Sequence, residues 1–149
     1  MSNPTIHATA VLVGEGALLV RGPSGSGKSF LALELLRQAK KTTGIFVRLI
    51  ADDRVHLEAI NNMLVARAPK KIAGMIEQRY HGVQTCPYET HGIVRAVLDL
   101  DEQAQRMPDH DQTPCEIHGI KLSRFVRPPR TMVSLAEALS MTHTPALNR

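Results

Sequence analysis

The chain has no tryptophan, two tyrosines and three phenylalanines among its 149 residues, so it is poorly supplied with the rings on which single-stranded nucleic acid stacks its bases. Nucleic acid is not an expected partner. Cys86 and Cys115 form no C-x-x-C pair, and the seven histidines show no H-E-x-x-H or comparable spacing. A disulfide framework and a zinc site are therefore disfavoured, and reduced thiols are expected. No apolar run reaches the ~18 residues that suggest a membrane span. The start, MSNPTIHATAVLV, also lacks a basic segment leading into a long apolar stretch. The expectation is no membrane association and a cytoplasmic location. The chain has neither an internal repeat nor a low-complexity tract.

What is present describes an ordinary globular domain, 43% hydrophobic and 21% charged. One domain is expected over residues 1–141, with a short flexible tail over 142–149. Eighteen basic residues against fourteen acidic ones give a net charge of +4, which suits phosphate ligands or an acidic partner without requiring either.

Gly22-Pro23-Ser24-Gly25-Ser26-Gly27-Lys28-Ser29 fits G-x-x-x-x-G-K-[ST] without substitution. The glycines free the backbone to bring N–H groups close to a polyphosphate, which the first turn of a following helix also favours. Lys28 would reach the β- and γ-phosphates of a bound nucleotide, and the Ser29 hydroxyl would complete the shell of a Mg²⁺ ion. The setting agrees. Ala17-Leu18-Leu19-Val20 reads as a buried strand, and Leu31, Leu35 and Ala39 with Ala32 and Leu36 predict a helix from Ser29 to about Ala39.

Thr5 to Val13 reads as a strand that Gly14-Glu15-Gly16 turns into the next, with His7 near its start. Ile45 to Ile50 is a largely apolar strand ending at Ala51-Asp52-Asp53, the form of a Walker-B element. One of these carboxylates can serve a metal while the other accepts a proton from a hydroxyl nucleophile; Asp is also common at solvated strand ends. Asn61-Asn62 predicts a hairpin, and Ala68-Pro69 the start of a short helix. The charges of Glu77-Gln78-Arg79 would suit an exposed helix end. A strand over Gly92–Leu100 is followed by a polar surface loop over Asp101–Pro114 and a strand–turn–strand over Ile117–Val126. Arg127-Pro128-Pro129-Arg130 is a stiff segment holding two guanidinium groups. Ser134-Leu135-Ala136-Glu137 is a capping box for a last helix to about Ser140.

In this order the stretches resemble the catalytic domain of HPr kinase/phosphorylase, in particular short bacterial forms without the larger enzyme's N-terminal domain. The resemblance runs from about Thr5 to the final helix. It implies an α/β fold, a P-loop-containing mixed sheet flanked by helices. It also implies that His7 is the active-site histidine, that Asp53 is the base and acid, and that Asp52 and Glu77 join Ser29 at Mg²⁺. Arg127 and Arg130 match the basic segment used in dephosphorylation, and Arg106 matches a further catalytic arginine. Two positions depart from the family pattern: Tyr80 and Pro129 stand where glycine is usual.

The resemblance further implies Mg-ATP, or pyrophosphate, as phosphoryl donor and a serine of an HPr-type phosphocarrier protein as acceptor. Phosphorolysis would remove the group again, and the assembly would be a homo-oligomer, a hexamer by family likeness. Two other readings share the motifs. A small P-loop NTPase or small-molecule kinase would have the same loop and acid, although neither an Arg-rich lid nor an N-K-x-D motif is present. A catalytically inactive nucleotide-binding regulatory module is the other.

Overall fold

A computed structural model describes residues 4–42, 44–78, 80–106 and 112–143, with the side chains of 105, 106 and 112 excepted. Arg79 lies outside the described residues.

The chain begins with β1 (Thr5–Ile6) and β2 (Ala8–Val13). The single strand expected over Thr5–Val13 is thus broken at His7. Thr5 and Ile6 pair with a different neighbour from the rest, while the Ala8 amide donates to Asp53 O at 3.2 Å. A two-residue turn leads into β3 (Gly16–Arg21), antiparallel to β2. The Gly22–Ser29 loop then opens helix α1 (Lys28–Lys41). Next come β4 (Val47–Ala51), β5 (Val55–Ile60) and β6 (Met63–Arg67). The last two form the expected hairpin, with Asn61 and Asn62 at φ 51° and 63°, the left-handed pair such a two-residue turn demands.

Pro69 precedes a single 3₁₀ turn, Lys70–Ile72. Glu77 stands on a strand rather than a helix end: β7 (Met75–Gln78) pairs with β8 (Gly82–Thr85). The long β9 (His91–Leu100) leads to a 3₁₀ turn at Glu102–Arg106. The segment expected to remain a loop up to Pro114 contains the start of β10 (Gln112–Ile117), which forms a hairpin with β11 (Ile120–Arg127). Pro114 is tolerated because β10 pairs with β11 alone, leaving an open edge where a missing N–H costs nothing. Helix α2 (Leu135–His143) closes the fold. Ser134 Oγ accepts from the Glu137 amide at 3.0 Å, but the Glu137 carboxylate turns to Arg127, so only half of the capping box forms. The helix includes Thr142, which is buried and donates to Val13 O.

The main sheet runs β1-β5-β6-β9-β3-β2-β4, with β11 added to β9 and β10 to β11. Alternation along β3 divides the core. Leu18 and Val20 join Leu31, Leu35 and Leu36 of α1 and Ala138 and Met141 of α2 in one cluster. Ala17 and Leu19 join Val55, Leu57, Leu64 and Ala66 of the β5–β6 hairpin in the other. Both helices therefore pack on one face, and strands close over the other. Strands β3, β9 and β11 run parallel, and β4 shares their direction because both it and β3 are antiparallel to β2. The carboxyl ends of these four strands consequently meet at one edge of the molecule, beside His7.

Candidate phosphoryl-transfer site

The sequence after β3 folds as a loop because its glycines adopt backbone angles closed to other residues. Gly25 and Gly27 lie at φ 83° and 100°, and the Ser26 amide donates to Pro23 O at 3.0 Å. Gly27 is the N-cap of α1 and offers no side-chain acceptor, and the first turn carries no acid. The first amides of this 14-residue helix are thus left for an external anion. The loop is braced from across the sheet. The Arg130 amide donates to Ser26 O at 2.6 Å, its Nη1 donates to Gly25 O at 3.2 Å, and Arg130 itself sits at φ 59°. A Cβ on Gly27 would come within 3.0 Å of the Arg130 Cα, whereas one on Gly25 would meet nothing. Gly27→Ala is therefore expected to lower the melting temperature and phosphate-ligand affinity more than Gly25→Ala. Both incur left-handed strain of about 1–3 kcal/mol, but only the first collides with backbone. Thermal melts of the two variants, with and without ligand, measure the difference.

Lys28 is buried, and its ammonium donates to Gly22 O at 2.7 Å and Pro23 O at 3.1 Å. Burial pushes its pKa below the ordinary lysine value, and the charges of Asp53 and Asp52 partly restore it. A desolvated ammonium held by carbonyls suits a stronger, anionic partner.

At the end of β4, Asp52 is buried and saturated with donors. Its Oδ1 accepts from Ser29 Oγ at 2.6 Å and Thr9 Oγ1 at 3.0 Å, and Oδ2 accepts from the Glu77 amide at 3.2 Å. Hydroxyl and carboxylate oxygens in contact are the hard donors that Mg²⁺ takes, with phosphate oxygens and water completing its shell. Ser29 and Asp52 fit such an ion. Glu77 is brought near through its backbone, while its side chain is exposed. Among the described residues no group of three His, Cys, Asp or Glu side chains is arranged to hold a metal ion.

Asp53 differs from its neighbour in every respect. It sits at φ 71°, its amide donates to Thr9 Oγ1 at 3.3 Å, and its Oδ1 lies 2.9 Å from His7 Nε2. The His7 and Asp53 side chains are 53% and 56% exposed, so this carboxylate faces solvent while Asp52 faces the loop. The two adjacent acids thus differ in burial and in partners.

The basic segment splits. Arg127 turns away from the loop and gives Nη2 to Glu137 Oε2 at 2.9 Å, while Arg130 reaches the loop. The two guanidinium groups of the stiff segment thus bond to different neighbours. Arg106 ends the second 3₁₀ turn, and its side chain lies outside those described. Two features escaped the sequence reading. Thr9, fully buried, ties Asp52 to the Asp53 backbone; its signal was one hydroxyl within Ala8-Thr9-Ala10-Val11. Asp99, the one acid of β9, accepts from both Arg21 and Arg124.

The chain is similar to known proteins in both sequence and fold. The chain is 30% identical to the HPr kinase/phosphorylase of Clostridium beijerinckii over 95% of its length and 49% of the relative's. It is 34% identical to that of Caldicellulosiruptor bescii over 93% of its length and 47% of the relative's. It thus spans about half the length of the curated relatives it matches. The structure of the Hpr(Ser) kinase/phosphatase from Coxiella burnetii shares its fold at TM-score 0.77 and 23% identity, covering 93% of this chain and 95% of that one. The family described as HPr Serine kinase C-terminal domain matches residues 1–98. That span holds the His7–Asp53 pair, the glycine-rich loop, Asp52 and Glu77, and the chain belongs to this family.

Proposed function

We propose that the chain is the catalytic unit of a protein-serine kinase and phosphorylase, taking a phosphoryl group from Mg-ATP or pyrophosphate to a serine of an HPr-type phosphocarrier protein. The observation that carries this reading is the half-exposed His7–Asp53 pair, 2.9 Å apart, beside the part-buried Ser29–Asp52 contact of 2.6 Å. An enclosed base would suit a small acceptor; a base open to solvent can be reached by a hydroxyl carried on another protein.

In the forward direction Lys28 and the loop amides hold the donor's phosphates, and Lys28 offsets charge on the transferring group. Ser29 and Asp52 would hold Mg²⁺, which neutralises the donor's charge when bound. Asp53 takes the serine proton as the serine oxygen bonds to phosphorus and the bond to the departing phosphate chain breaks. His7 holds the Asp53 carboxylate in place for that transfer. In reverse, Asp53 returns the proton to the serine oxygen as inorganic phosphate takes the phosphoryl group and leaves as pyrophosphate. Incubation with radiolabelled ATP and a phosphocarrier protein tests the reading: label on serine that inorganic phosphate then releases as pyrophosphate is the expected result. Hydrolysis of ATP without transfer would favour a simple NTPase instead.

Phosphorolysis brings two anions together, so an added guanidinium should matter more in that direction than in the forward one. Arg130 borders the loop and Arg127 does not. Arg130→Ala is therefore expected to slow phosphorolysis more than Arg127→Ala does, read from initial rates with a phosphorylated carrier; equal losses would contradict that assignment.

A further inference from the structure

Strands β3, β9 and β11 end together at Arg21, Leu100 and Arg127, and ligands of such sheets bind outside the carboxyl ends of the strands. A cleft of about 550 Å³ opens there, within the range of small-molecule sites. It runs along the flank of the glycine-rich loop, lined by Pro23 and Ser26 together with Asp101, Glu102, Gln103 and Pro129. Neither Ser29, Asp52 nor Asp53 lines it. In the sheet β9 and β4 lie on opposite sides of β3, so the cleft and the acid pair flank the loop from opposite directions.

Three arginines, Arg21, Arg124 and Arg130, border the cleft and at first suggest an anion. Their bonds argue otherwise. Arg21 grips Asp99 with two bonds of 2.7 and 2.8 Å, and Arg124 adds a third. Burial pushes the Asp99 carboxyl up, but the two guanidinium groups overcome this and hold it below its ordinary value, so the cluster is internally neutralised. Arg130 donates to Gly25 O, and Asp101 and Glu102 bring two carboxylates to the same lining. The lining suits an uncharged ligand rich in hydroxyls. Asp101, whose Oδ1 already accepts from the Gln103 amide at 2.9 Å, and Glu102 are exposed acceptors, Pro23 and Pro129 offer flat apolar rings, and among the described residues Ser26 Oγ is buried without a hydrogen-bond partner.

We propose that this cleft takes the nucleoside of the phosphoryl donor, an inference that rests on the donor-site reading above. The ribose hydroxyls donate to Asp101 and Glu102, and the base lies against the proline rings. Among the described residues no aromatic ring lines the cleft, so the base is read by shape rather than identity, and ATP and GTP bind alike.

Calorimetry with Mg-ATP and Mg-methyl triphosphate, which has the same phosphates and no nucleoside, tests this on wild type and Asp101→Asn/Glu102→Gln. Wild type is expected to bind ATP about tenfold tighter than methyl triphosphate. The double variant should lose most of that advantage while holding methyl triphosphate unchanged. Equal wild-type affinities, or a variant that weakens both ligands alike, would overturn the inference. Binding of neither ligand by wild type would instead overturn the donor-site reading on which it rests.

Discussion

Asp53→Asn is expected to lower phosphoryl transfer in both directions by about 10²–10⁴-fold, while donor affinity stays within about twofold of wild type. The amide keeps the shape of the carboxylate and can still meet His7, but it cannot accept the serine proton. Binding is spared because Asp53 is spent on His7 at the exposed side of the site, and Asp52 holds Ser29. Asp52→Asn should show a different pattern. Its buried oxygens accept three hydrogen bonds, so the loss should appear in stability and in Mg²⁺-dependent donor binding. Donor binding by calorimetry and single-turnover transfer, measured on both variants, separates the roles. A silent Asp53→Asn beside a transfer-dead Asp52→Asn that binds donor normally would reverse them.

Lys28→Met is expected to abolish measurable donor binding with little change in fold stability. Two effects oppose each other in the ligand-free protein. The variant leaves Gly22 O and Pro23 O without their donor, but it also removes an ammonium whose burial already lowers its pKa. Each effect is worth about 1–3 kcal/mol, so the net change should be small. With ligand the balance disappears, because nothing then meets the phosphate charge. Wild type should melt higher with Mg-ATP or Mg-pyrophosphate, by linkage of binding to folding, and Lys28→Met should show no such rise. A variant unfolded without ligand would assign Lys28 a structural role instead.

What could be read from the sequence was chemistry written in short stretches. The Gly22–Ser29 loop, the α1 periodicity and the Asn61-Asn62 turn each specify their own backbone within a few residues. What could not be read depends on partners far away in the chain. Asp99 meets Arg21 across 78 positions and Arg124 across 25, and nothing local to β9 announces either. Glu77 looked helical because its neighbours are polar, but the hydrogen bond from its amide to Asp52 holds a strand edge at the site. Arg127 and Arg130 stood three apart on a stiff segment, and only the position of α2 decides that Arg127 turns to Glu137. Tyr80 is instructive in the opposite sense. It stands where the resemblance implies glycine, and its φ of 69° is a backbone demand glycine would meet without strain.

The most direct test of the central claim is to map the product on the acceptor. Wild type and Asp53→Asn would each be incubated with Mg-ATP and an HPr-type phosphocarrier protein, and the carrier examined by peptide mass spectrometry. The account predicts a single phosphoserine formed by wild type, erased when inorganic phosphate is added, and nearly absent with Asp53→Asn. An unmodified carrier despite tight ATP binding, or phosphoserine formed equally by both proteins, would contradict it.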